Sequence, residues 1–437
     1  MSRNVEKSRQ VVFVCRSATG ESLRSARALA GLDRVRVCCI SEAGASVDDP
    51  FVDAVQVTNV HEVDQLVQAA RTLAEKHGEL SNIVTTQETL LEPVARTREA
   101  LDIRGMSSET VRRTLDKSLL KSTLRNAGIP TPPDCTVKSP GDAIRFQNAV
   151  HLPILLKPLS GSGALATLLI RDLRDLNHAI QLMQPSIDRP VLAEAYLFGQ
   201  ELCLDTITID NEPRLHSICL YYPSILEALE HPETQWTCVM PREMDLYRDF
   251  IEHGVAAVRA LAVGNSITHM EGFLDFENRL VGFTDATLRP AGARIGPMLG
   301  FAYDVDPYRA WARVAVDDCF DGPWERKFAV GTIFLRGLGS GVIEKIDGIE
   351  VVNEQLGELL VDVRWPMVGV KKSDTYTGDG YITIRHPDTD RVKSALEFIR
   401  DAVRISYSEP ETSLQWTERF QNYQKLNRPA WEVGGSQ

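Results

Sequence analysis

The chain has 437 residues, with 48 basic against 60 acidic side chains and a formal net charge of −12 at neutral pH. That balance disfavours a surface built for polyanions, so no nucleic-acid partner is expected. Apolar residues at 43% and charged residues at 25% match globular averages and exclude disordered and fibrous classes; at about 150 residues per domain the length implies roughly two to four domains.

The opening MSRNVEKSRQ is polar, and no stretch reaches the roughly 18 uninterrupted apolar residues of a membrane span, so a soluble, cytoplasmic protein is expected. Cysteines at 15, 38, 39, 135, 203, 219, 238 and 319 fall mostly in apolar runs, without a C-x-x-C pair or a histidine at ligand spacing. Buried, reduced thiols are expected rather than a zinc site.

Residues 11–15, 35–40 and 83–86 read as aliphatic strands alternating with helical patterns at 21–30 and 63–77, the signature of a parallel α/β sheet. The turn Ser17-Ala18-Thr19-Gly20 follows the first strand; with one glycine it reads as a plain tight turn and receives no cofactor. A helix over 107–127 ends at Gly128, and prolines at 130, 132 and 133 cannot continue it, which places a domain seam nearby. A helix after Pro140, strands 154–156 and 166–170 around a glycine-rich turn, and a helix over 173–183 make an α+β unit with short hairpins. A strand from 191 turns into an alternating strand over 202–209, and residues 221–243, rich in aromatics, prolines and charge, form a candidate lid. Two strands flank the turn Glu277-Asn278. Beyond 328, strands at 330–335, 342–346 and 381–384, a glycine-rich turn at 337–341 and a helix near 392–403 make a small α+β unit. The expected division is 1–112, 113–325, 326–407 and a peripheral tail over 408–437.

The clearest chemical signal is Lys157, delivered by a strand into Pro158-Leu159-Ser160-Gly161-Ser162-Gly163-Ala164. Bare backbone N–H groups in such a loop can meet phosphate oxygens while the lysine supplies a point charge. The spacing is not that of a Walker A loop. A relaxed dinucleotide pattern fits, but a strand follows where that pattern needs a helix, so a hairpin flap over a triphosphate is the better reading. The strand, hinge and carboxylates of Glu194, Tyr196, Leu197 and Glu201 suit an adenine and a ribose. If the strands around residue 277 form a hairpin, Glu271 and Asp285 face each other and can hold a divalent cation against phosphates, with Arg289 reaching the phosphoryl group in transfer. His269 reads as a structural strand residue.

These motifs, in this order, resemble the ATP-grasp superfamily and, within it, the L-amino-acid ligases. Asp116-Lys117-Ser118-Leu119-Leu120-Lys121, with the turn at Gly128-Ile129-Pro130, looks like the family's opening helix; the Lys157 loop looks like its flap; and Asp285-x-Thr287-x-Arg289 looks like its E-x-N-x-R element. Phe328-Ala329-Val330-Gly331-Thr332, with Gly339-Ser340-Gly341 and Ile346-Asp347-Gly348, resembles the small C-terminal domain of the amino-acid ligase branch. The implied fold is an N-terminal parallel α/β sheet domain, a two-lobed ATP-grasp region and a small α+β domain.

The resemblance implies ATP held by Lys117, Lys157, Ser160, Gly161, Ser162, Gly163, Glu194, Tyr196, Leu197 and Glu201, and Mg2+, for which Mn2+ can substitute, held by Glu271, Asp285 and Thr287. Arg289 and Lys157 would act on the transferring group. Arg289 and Arg294 would meet substrate, Arg294 as a partner for its carboxylate, and Ala293 would line a side-chain pocket. Asp285 and Thr287 stand where the family usually presents Glu and Asn. The implied reaction joins a carboxylate to an amine, both from amino acids, through an acyl phosphate, in a chain that family habit makes a homodimer. Two alternatives are a bicarbonate-activating carboxylase-type enzyme, although no Met-Lys biotin-attachment dipeptide occurs, and a nucleotide sensor without catalysis.

Overall fold

The computed structural model describes residues 8–410 except 48, 162, 163, 165, 232 and 374, together with residue 421. Beyond Pro410, the tail expected to be a strap therefore lies outside the described residues, apart from that one position. Strands β1 (Arg9–Cys15), β2 (Val35–Glu42), β3 (Asp53–Val57) and β4 (Leu80–Val84) form a parallel sheet in the order β3-β2-β1-β4. Their near-continuous apolar sequence follows from burial on both faces. Helix Gly20–Ala30 and Trp311 cover Phe13 and Cys15, while helix Val63–His77 covers Val12 and Val14. The strands' carboxyl ends bring Arg16, Glu42 and the segment 85–89 to one edge, where open α/β sheets bind ligands.

Strands β5 (Asp134–Val137), β6 (Ile154–Pro158), β7 (Leu168–Ile170) and β8 (Val191–Ala195) make an antiparallel sheet, with β6 and β7 paired as the expected hairpin. The helix expected over 107–127 is two helices, Ser108–Leu115 and Lys117–Asn126. Asp116 ends the first, and its carboxylate accepts the backbone N–H groups of Ser118 and Leu119, capping the second. The break aims Lys117 and Lys121 inward.

The remaining strands are β9 (Gln200–Ile209), β10 (Glu212–Tyr222), β11 (Thr237–Met240), β12 (Ser266–Asp275), β13 (Leu280–Thr287), β14 (Ala329–Leu335), β15 (Ser340–Asp347), β16 (Leu360–Arg364), β17 (Gly380–His386) and β18 (Arg404–Glu409). Eight of them form one sheet, β13-β12-β9-β10-β11-β14-β17-β16, and β15 pairs with β18. This sheet crosses residue 326 without a break, because β11 pairs with β14. The candidate lid at 221–243 is corrected by the same pairing. Its C-terminal part is β11, at the centre of the sheet, with Trp236 fully buried beside it; the helix Ile225–Glu230 begins at the rim of a cavity. Among the described residues, no helix is long and apolar enough to cross a membrane.

Candidate active site

Strand register assembles the site. Asp205 of β9 lies opposite His269 of β12 and Cys203 opposite Glu271; across the next pairing, His269 meets Thr287 and Glu271 meets Asp285. Side chains alternate along a strand, so these six share one face. Leu202, Leu204, Met270 and Phe283 take the other face, where they pack with Phe250 and Val258 of helix Arg248–Leu261. A bulge between Glu271 and Gly272 shifts the β12–β13 register directly beside the carboxylates. A Cβ on Gly272 would sit 2.5 Å from the Gly282 carbonyl oxygen, so only glycine lets the strands close there.

Between this face and the β6–β7 hairpin lies a cavity lined by Lys117, Lys157, Ser160, Gly161, Glu194, Tyr196, Leu197, Glu201, Glu271 and Asp285. The fold thus gathers residues expected to hold nucleotide; Ser162 and Gly163 lie outside the described residues. Glu194 Oε2 is 2.7 Å from Lys121 Nζ and 3.0 Å from Lys157 Nζ, all deeply buried. Burial alone would raise the Glu194 carboxyl, but the two ammonium groups hold it below its usual range. Lys121 is pulled down to about 8 by burial, only partly offset by Glu194. Lys117 pairs with Asp285 and donates to the Gly161 carbonyl at 3.0 Å, tying the flap to the metal-site candidate. Glu201 accepts the Ile225 N–H at 2.7 Å; burial first, and the Glu271 charge second, push it up to about 8.

A second cavity shares Ile225, Glu271 and Asp285 with the first and adds Glu88, His269, Thr287, Arg289 and Ala293, with an apolar wall that includes Tyr221, Trp236, Ile295 and Tyr376. Arg289 pairs with Glu88 at 2.7 Å. His269 holds Asp205 through Nδ1 at 3.0 Å and Glu271 through Nε2 at 3.3 Å. Burial would lower His269, but Asp205 and Cys203 raise it well above its usual value. Cys203 donates to Asp205 at 3.3 Å, and burial pushes its thiol up. All eight cysteines are free. The absence of a histidine near a cysteine holds only along the sequence: in the fold, Cys203, Asp205 and His269 stand together. Arg294 is not brought into this group. Its guanidinium pairs with Asp362, lies 3.8 Å from Glu21 and stacks 4.0 Å over the Tyr381 ring, away from the substrate role expected for it.

No family model matches the chain. It is 23% identical over 249 residues to the L-arginine-specific L-amino acid ligase of Bacillus subtilis, an alignment covering 55% of this chain and 59% of that relative, so the match spans less than two thirds of its length. The crystal structure of an L-amino acid ligase from Bacillus licheniformis superposes with a TM-score of 0.74 at 16% identity, covering 92% of this chain and all of that one. This is the ATP-grasp fold. Another protein similar in structure, carboxyaminoimidazole ribonucleotide synthase from Aspergillus clavatus complexed with ATP, gives a TM-score of 0.66 at 15% identity over 91% of this chain and 99% of that one.

Two buried polar atoms lining the cavities are open to a ligand. Glu194 Oε1 and Thr287 Oγ1 find no hydrogen-bond partner among the described residues, and each belongs to a residue lining one of the cavities. An exocyclic amino group suits the first, and a hydroxyl facing Asp285 and Glu271 suits a cation's shell or a phosphate. Sequence reading missed Glu88, which sits 201 residues from its partner Arg289. Its only signal was an acidic residue just beyond a parallel strand's carboxyl end.

Proposed function

We propose that the protein activates an amino acid's carboxylate with ATP and joins the acyl phosphate to an amine, releasing ADP and phosphate. The supporting observation is the Glu88–Arg289 pair in a cavity that shares Glu271 and Asp285 with the nucleotide cavity. A zwitterionic amino acid inserted between them exchanges one ion pair for two, its carboxylate toward Arg289 and its ammonium toward Glu88. The apolar wall of Trp236, Tyr376 and Ile295 then faces the side chain; bicarbonate would leave that wall without a partner.

Little covalent chemistry falls to the protein. Lys157 and Lys117 neutralise phosphate charge, and the flap keeps water from the acyl phosphate. Arg289 stabilises the charge that moves onto the phosphoryl oxygens. Glu271 and Asp285, with Thr287 beside them, would hold Mg2+, a Lewis acid that draws charge from the phosphates when bound. ADP release in the presence of Mg2+, measured with single amino acids plus hydroxylamine and with amino-acid pairs, tests the reading. At least one amino acid is expected to yield its hydroxamate. Turnover with bicarbonate alone, or with no carboxylate, would refute it.

A further inference from the structure

Helix Leu91–Ala100 carries a cation outside the active site. Arg98 reaches from its last turn toward β4, donating Nη1 to the Ile83 carbonyl and Nη2 to the Met106 carbonyl, both at 2.9 Å. Its Nε is enclosed and finds no acceptor among the described residues. Glu99, its neighbour in the chain, is spent on the Ser108 N–H at 2.7 Å and hydroxyl at 2.8 Å. Burial pulls the guanidinium down to about 10, and only the Glu99 charge resists. A cation held by neutral carbonyls in such a place is costly, and an anion relieves it.

Arg98 lines a cavity of about 460 Å3, within the roughly 300–1,000 Å3 usual for small-molecule sites. The cavity lies between the edge strand β4, helix Pro307–Asp317 and residues 262–267. It shares no lining residue with the two cavities of the active site or with the sheet edge at Arg16. Leu91, Val94, Met106, Val111, Val263 and Val314 give it an apolar interior. The other charged groups of its lining are committed or in water: Arg104, exposed, pairs with Asp318, and Asp210 faces solvent. One inward cation among apolar side chains matches a monoanion with an apolar body; inorganic phosphate would leave that interior without a partner. Two further wall residues adjoin the active site. Thr85 Oγ1 accepts the Gln87 N–H at 3.1 Å, directly before Glu88, and Leu288 precedes Arg289.

We propose that this cavity is a regulatory site for a small monocarboxylate with an apolar body, its carboxylate meeting the Arg98 guanidinium and its body lying against Leu91 and the valines. Occupancy steadies the two segments that carry Glu88 and Arg289, because Thr85 and Leu288 form part of the wall, and so it is felt at their ion pair. The binding itself is independent of the ligase reading; the effect on turnover rests on it.

The test uses the full chain and hexanoate, with hexanamide as its uncharged match. Titration calorimetry is expected to show hexanoate bound about tenfold tighter than hexanamide or more, roughly the worth of a charged hydrogen bond. Trp311 lines the cavity, so hexanoate is expected to change the tryptophan fluorescence of the wild type, and Trp311→Phe to abolish that change. Arg98→Met is expected to erase the preference for acid over amide. Because that variant also frees the Ile83 and Met106 carbonyls, Arg104→Glu, an exposed change at the same lining, supplies a second arm and is expected to weaken hexanoate several-fold. Arg289→Ala is expected to keep the preference; its loss there places the acid in the active site and overturns the proposal. Equal affinity for acid and amide in the wild type, or hexanoate affinity undiminished in Arg104→Glu, also overturns it. Donor-dependent ADP release at saturating hexanoate is expected to change by about twofold or more in the wild type and to stay constant in Arg98→Met. An unchanged wild-type rate overturns the regulatory role, whereas ADP release with no amino acid at all overturns the ligase reading and leaves the calorimetric result standing.

Discussion

Glu201 offers a prediction in which sign and size both follow from its surroundings. Burial first and the Glu271 charge second push its carboxyl up to about 8 against an ordinary value near 4.5, while the Ile225 N–H that it accepts at 2.7 Å pulls the other way. At 1.36 kcal/mol per decade that difference is about 5 kcal/mol in favour of the neutral form, as an upper bound. Below the ordinary value both the folded and unfolded chains hold the proton, and nothing is lost. As pH rises through the window from about 4.5 to 8, the unfolded chain gives up its proton first, so folding stability falls by up to about 1.4 kcal/mol per pH unit and then levels off. Glu201→Gln keeps an oxygen for Ile225 and has nothing to titrate. Urea unfolding of both proteins at each pH from 5 to 9 isolates this group, because the other titrating residues cancel in the difference. The variant is expected to gain about 3–5 kcal/mol on the wild type between pH 5 and pH 9. A difference that stays flat across that range refutes the reasoning.

Arg289→Ala is expected to lower amino-acid-dependent ADP release by on the order of a hundredfold or more while leaving the circular dichroism spectrum unchanged, since the loss falls on charge developed in transfer. Glu194→Ala leaves the buried Lys121 and Lys157 ammonium groups without their counter-ion and should destabilise the protein by about 3–5 kcal/mol, read by urea unfolding. Thr287→Asn supplies an amide oxygen in place of a hydroxyl, and is expected to lower several-fold the Mg2+ concentration needed for half-maximal nucleotide binding; an increase would remove Thr287 from the cation's surroundings. Arg294→Ala is expected to lower the unfolding midpoint and to leave the KM for either substrate nearly unchanged, because its partners are Asp362, Glu21 and Tyr381.

What could be read from the sequence depended on how local the signal was. Helix Val63–His77 declares its ends through an unbroken apolar stripe and a glycine after His77. The β12–β13 hairpin surrounds a short polar turn, and the opposition of Glu271 and Asp285 follows from counting residues outward, although the bulge that sets their final register does not. The helix break at Asp116 was visible only as an acidic residue that also fits a helix interior; it acts as a cap because Ser118 and Leu119 need an acceptor. β11 reads as part of a lid in the sequence because the prolines and charges flanking it outweigh four buried residues. The Glu88–Arg289 pair is out of reach of a linear reading, since Glu88 lies at the edge of another sheet, 201 residues from its partner.

The Arg294 contacts show why the parts of the site depend on one another. Glu21 lies in the first helix of the N-terminal α/β unit, Arg294 begins the helix Ile295–Tyr303 just after Arg289, and Asp362 and Tyr381 lie on β16 and β17. One largely buried guanidinium therefore joins the sheet edge that carries Arg16 and Glu88, the strand end that carries Arg289, and the C-terminal strands of the large sheet. Such a junction holds the Glu88–Arg289 pair in register, because a shift of the N-terminal sheet moves Glu88 relative to Arg289. Mutations here should thus act through the 2.7 Å Glu88–Arg289 pair without touching substrate, and the loss should appear as reduced thermal stability before it appears in substrate affinity.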